Sequence, residues 1–219
     1  MMRWAHACAA VAILSAAVVA GCDSVGEGKG DVESANLYAR DCWNGKFDLK
    51  PDFFAADPFR NTMHIRVQRG GDLLEVSDGI ILLVDDTEDV RSRLGEAIPI
   101  TLPPGVAPPG VPVGELCGDG GACNSPVHLS LYLLDSCHTE NTVLYATSGT
   151  VTFDQLFSGD PNEEDAAEKL TDGHFDVMVG DPRDIVEDDA GGWTFQNQSQ
   201  VTGSFRFYFK RGQPAQPFP

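Results

Sequence analysis

The chain has 219 residues, 42% of them hydrophobic, with 15 Lys and Arg against 33 Asp and Glu and a net charge of −18. That length suits one domain with a sizeable core. So acidic a surface repels nucleic-acid phosphates and anionic headgroups, which argues against a nucleic-acid-binding role.

The first residues carry Arg3 as their only charge, followed by an apolar run from Ala7 to Ala20. A membrane-spanning helix needs about 20 apolar residues, so this shorter run suits the apolar region of a secretory signal. Ordinary secretory signals and uncleaved helices are also Ala-rich. What singles this run out is its end, Val19-Ala20-Gly21-Cys22: an aliphatic residue, two small ones, then Cys. The stretch resembles the lipobox of bacterial lipoproteins. The resemblance implies a diacylglyceryl group on the Cys22 thiol, cleavage between Gly21 and Cys22, and acylation of the new amino group. A palmitate-class lipid on Cys22 would then hold the chain on a membrane of the cell envelope, and several acyl chains anchor stably where one does not. Asp23 leaves open which membrane is used. The remainder resembles the envelope lipoproteins of large-genome Gram-negative bacteria in style, a likeness that implies no activity.

Beyond Cys8 in the leader and Cys22, four cysteines remain: Cys42, Cys117, Cys123 and Cys137. An even number in an exported chain points to disulfides, and four cysteines allow three pairings. The Gly-rich Cys117–Cys123 loop closes easily on itself, which leaves Cys42 to pair with Cys137. Zinc is the competing reading, but these spacings lack paired Cys-x-x-Cys ligands.

Residues 22–40 are small, polar and Gly-rich at their start and read as the lipidated Cys and a flexible tether. From Asp41 the pattern alternates with a period of two, as in strands with one buried face. Phe47 and Leu49 begin it, Met63, Ile65 and Val67 follow, and Leu74 to Val84 continue past a bulge or turn at Ser77-Asp78-Gly79. Thr87–Leu94 reads as a turn or two of helix capped by Thr87. Pro99 to Pro112 is too rich in proline for regular structure and reads as a long loop.

Val127, Leu129, Leu131 and Leu133 make a further strand, and Thr142–Phe157 another with a break at Ser148-Gly149. Asp160-Pro161-Asn162-Glu163 fits the opening of a helix that runs to about Thr171 and ends at Gly173. Phe175, Val177 and Val179 resume the alternation. Val201, Phe205, Phe207 and Phe209 then share one face of the last strand, and residues 213–219 form a Pro-rich tail. The expected fold is all-β: a single antiparallel β-sandwich or barrel-like domain over 41–212 with one or two short helices.

No residue set forms a catalytic signature. His64, His128 and His174 fall on the polar faces of three strands and would converge on a metal only if those strands were neighbours. Asp135-Ser136-Cys137-His138 gathers triad residue types, but loop neighbours seldom point at one another. The acidic clusters at Asp85–Asp89, Asp160–Asp165 and Glu187–Asp189 offer oxygen ligands for Ca²⁺ without the spacing of a calcium loop. Trp43, Trp193 and Tyr132 are candidates for a binding surface. The expectation is a lipid-anchored envelope protein acting as a binding or structural module. It carries no cofactor, meets the membrane through Cys22, and has an envelope protein as a further partner. The alternatives are an exported metal-dependent hydrolase using the histidines and a Ca²⁺-stabilised adhesive domain.

Overall fold

The computed structural model describes residues 28–70, 77–103, 105–107, 111, 116, 124–138, 142–189 and 191–210. Gly21, Cys22, Cys117, Cys123 and the 213–219 tail lie outside the described residues, as do Leu74 and Val76. The elements are β1 (Gly28–Ala39), β2 (Trp43–Leu49), β3 (Phe53–Phe59), β4 (Thr62–Arg69), β5 (Asp78–Val84) and α1 (Thr87–Ser92). Then come β6 (Ala97–Pro99), β7 (Val127–Leu133), β8 (Thr142–Gln155), β9 (Leu170–Gly180), β10 (Ile185–Glu187), β11 (Trp193–Phe195) and β12 (Gln198–Tyr208).

The fold is all-β and antiparallel. One sheet runs β2-β1-β12-β9-β8-β7-β5-β4-β3, with β6 added to β8, while β10 and β11 pair separately. The sheet curls into a half-barrel, and its largely apolar inner face is buried against its own far side. Val32, Phe54, Ile65, Leu82, Leu131, Phe153, Val177 and Phe205 all meet in that interior. Phe54 on β3 reaches Phe207 on β12, ring centroids 5.7 Å apart, although six ladder steps separate the two strands. Phe205 and Phe207 face this core as the alternation predicts, and Phe209 stacks on Phe157 at 4.1 Å.

The tether expectation needs correction: residues 28–39 are a strand, not a linker. Val32, Leu37 and Ala39 are buried, and β1 pairs with both β2 and β12. Its glycines are packing residues. A Cβ on Gly28 would lie 2.5 Å from the Phe54 ring, so only glycine lets β3 close over β1 at that point. Small, polar residues look like a linker when the large partner that needs the space is elsewhere in the chain.

The expected helix from Asp160 does not form either. Asp160 accepts a hydrogen bond from Asn162 N at 2.8 Å, Glu163 from Glu164 N and Asp165 N, and Asp165 from Ala167 N. Each carboxylate binds backbone amides locally, which competes with a helix, and the segment has no apolar stripe to pack. One 3-10 turn, Ala167–Lys169, is all that follows, and Gly173 lies inside β9 opposite Phe205. The α1 helix does form, with Asp86 rather than Thr87 as its N-cap, accepting from Asp89 N at 2.9 Å. Thr87 instead donates its hydroxyl to Asn61 on the β3–β4 turn.

Cys42 and Cys137 are bonded, as expected, tying the β1–β2 turn to the turn after β7 across 95 residues. Asp78, 1% exposed, holds that second turn by accepting from Asp135 N, Ser136 N and Ser136 Oγ. Replacing both cysteines by Ala is expected to lower stability by about 3–5 kcal/mol in urea denaturation. A change below about 1 kcal/mol would show that Asp78 alone fixes the turn.

Candidate functional site

Strands exposed on one face alternate apolar and polar residues, but β5 reads Ile80-Ile81-Leu82-Leu83-Val84. An apolar run of this kind is buried on both faces. The inward set joins the core, while Ile81 and Leu83 look outward together with His128, Ser130 and Tyr132 of β7. All residues of β7 are buried, so something covers the outer face. Among the described residues that cover is 100–103 with Val106, backed by the β10–β11 hairpin through Phe195 and Trp193.

Several ties hold the cover down. Ile98 pairs with Val151, Ile100 N donates to Gly149 O at 2.9 Å, and Ser125 Oγ bonds both Pro99 O and Val127 O. His128 Nδ1 lies 2.8 Å from Thr101 O. A carbonyl oxygen only accepts, so Nδ1 carries the proton and donates. The other nitrogen, Nε2, lies 3.3 Å from Asp85 Oδ2. Leu102 then buries completely among Val111, Leu116 and Phe195, with Trp193 at the margin. Phe195 sits directly on Gly180, where a Cβ would lie 2.5 Å from its ring.

Between cover and sheet the contact is incomplete and leaves a cavity of about 220 Å³. Its floor is Ile81, Leu83, Ser130 and Tyr145, its roof Pro103 and Val106, and His128 stands at one end. Ser130 and Tyr145 are direct cross-strand partners. The floor therefore carries two hydroxyls in an otherwise apolar wall. Burial raises the pKa of the Tyr145 phenol, which keeps it neutral and able to donate. Ser130 is 4% exposed. Among the described residues, neither hydroxyl has a hydrogen-bond partner.

The histidines are brought together only in part. The register places His64, Leu83 and His128 in one row across β4, β5 and β7, with Asp57 opposite His64. His174 is on β9, largely exposed and 3.9 Å from Asp154. His138 lies in the turn that Asp78 holds, with Nδ1 3.3 Å from Asp135 O, and Ser136 Oγ is spent on Asp78. The triad-like tetrapeptide is thus a capped turn. Among the described residues no three His, Cys, Asp or Glu side chains form a group able to hold a metal ion. Within the acidic clusters, Asp86 caps α1, Asp89 pairs with Arg93, and Asp188 accepts from Gly192 N. Trp43 packs edge-on against Phe47, and the buried Tyr132 hydroxyl donates to Gln68 at 2.7 Å. Of the three aromatics, only Trp193 borders the covered face near the cavity.

Ser130, Tyr145, Pro103 and Val106 were not among the residues the sequence singled out. The signal that points to them is the two-sided apolar run of β5 next to a long Pro-rich loop. No family model matches the chain, and no curated protein or solved structure matches it either.

His128→Ala removes the tie to Thr101. It is expected to cost about 1–3 kcal/mol and to speed limited proteolysis within residues 100–111, and an unchanged cleavage rate would show that the tie does not hold the cover. Burial lowers the pKa of His64, with Arg66 pushing the same way against Asp57 and Asp85. The unfolded chain then takes that proton first, so stability falls as pH drops through the ordinary imidazole range. His64→Gln is expected to flatten the fall in Tm between about pH 8 and about pH 5, and an undiminished slope would place the titration elsewhere.

Proposed function

We propose that this chain is a lipid-anchored protein of the cell envelope whose β domain works as a binding module. The observation that carries the binding role is the cavity beneath the Pro-rich cover, where two hydroxyls lie in an apolar wall without partners among the described residues. Binding sites of this kind are concave and largely apolar, with a few polar groups that fix orientation.

Support for the anchor comes from Val19-Ala20-Gly21-Cys22. Six residues lead from Cys22 to Gly28, the first residue of β1. At full extension they span about 20 Å, so a lipid on Cys22 would keep the domain close to the membrane surface. The Cys42–Cys137 bond fits an oxidising compartment. Among the described residues no helix is long and apolar enough to cross a membrane.

Cys22→Ser is expected to move the protein from the membrane fraction to the aqueous fraction and to abolish labelling by a palmitate analogue. Retained label and membrane partitioning would overturn the anchor. The binding role is tested separately through the cavity.

A further inference from the structure

We infer that the cavity under the cover binds a small uncharged ring bearing one hydroxyl group, of the phenol class. The inference rests on the binding role proposed above and names its ligand chemistry.

Size sets the first limit. Sites for drug-sized ligands usually run from about 300 Å³ upward, whereas a dry cavity of about 150 Å³ takes up benzene. At about 220 Å³, this cavity admits a single ring with a small substituent. The walls set the second limit. Ile81, Leu83, Pro103 and Val106 offer only carbon, which suits a ring face and gives a charged group no counterion.

Charge decides further against an anion. The Asp85 carboxylate stands beyond the His128 end, 3.3 Å from Nε2, and the chain as a whole carries −18. A cation would compete with His128 for the same carboxylate and find no other acid among the lining residues. A neutral molecule remains.

The hydroxyls set the third limit. Ser130 is more than nine-tenths buried, lines the cavity and has no hydrogen-bond partner among the described residues. Tyr145 stands beside it in the ladder, half-buried and with no hydrogen-bond partner among the described residues. Covering a hydroxyl without giving it a partner is unfavourable, so a guest that closes over this pair is favoured when it brings its own donor and acceptor. Each hydroxyl both donates and accepts, and a phenolic oxygen between them satisfies both. A bare hydrocarbon ring fills the same space and leaves both unmet.

The test uses the whole protein in detergent, titrated with phenol and with toluene while the backbone amides of residues 81, 130 and 145 are followed by NMR. Saturable shifts with phenol, about tenfold tighter than with toluene, are expected. In Ser130→Ala/Tyr145→Phe the preference should fall toward unity with toluene still bound. Ile81→Trp should fill the space and abolish both. Equal affinity for phenol and toluene in the unmodified protein would overturn the ligand class and leave the binding role standing. The absence of saturable shifts with either probe would overturn both and indicate that the chain fills the cavity itself. The membrane partitioning of Cys22→Ser is indifferent to all of these results.

Discussion

The structure depends on one demand made by β5 and β7, which is that both their faces be kept from water. A sheet with a single apolar face is satisfied when it curls on itself, and most of this sheet is. Ile81, Leu83, Ser130 and Tyr132 lie on the other side of that curl, where the core cannot help them. A second layer has to be brought over them. The described residues that supply it, 100–103 and Val106, belong to a segment rich in proline, which offers few amide donors for a regular strand. The cover is therefore held at points, through Ile100, Thr101 and Leu102, and does not mould itself to the floor. A second layer attached in this way leaves room beneath it.

The polar groups around this region serve geometry more than charge. Asp78 is almost wholly buried, yet it organises the turn that carries Cys137 by accepting two backbone amides and one hydroxyl. Asn61 does the same for the start of α1, bonding Asp86 and Thr87 through its side chain. Arg66, 2% exposed, pairs with Asp57 and lies over the Phe53 ring. Asp78 and Asn61 spend their side chains on these local bonds and have little left to offer a substrate. That distinguishes them from Ser130 and Tyr145.

Much of this was legible in the chain. Phe205, Phe207 and Phe209 could be placed from their spacing alone, and the Cys42–Cys137 bond follows once Cys117 and Cys123 are set aside as a local loop. The failures each have a physical origin. Gly28 and Gly30 look like linker residues until Phe54 is known to press on them. Asp160 to Asp165 carries every mark of a helix start except an apolar face, and its carboxylates capture the backbone first. His128 and Tyr132 alternate as if exposed, because alternation reports one buried face and says nothing of a cover supplied by a distant segment. For the glycines and for His128 and Tyr132 the decisive partner lies far away in sequence, whereas for Asp160 to Asp165 the competing bonds are local.

Chain order adds a consequence of its own. Among the described residues the first strand, β1, takes a partner from the last, β12, with Val32 opposite Gly203. A chain emerging from the ribosome or from a translocon does so N-terminus first, so one edge of β1 stays open until nearly everything else has been delivered. Pairings of such long range are slow to form, since the loop they close must be ordered before any contact repays it. Under the envelope role proposed above, that delay is useful: the chain cannot complete this sheet until β12 has arrived.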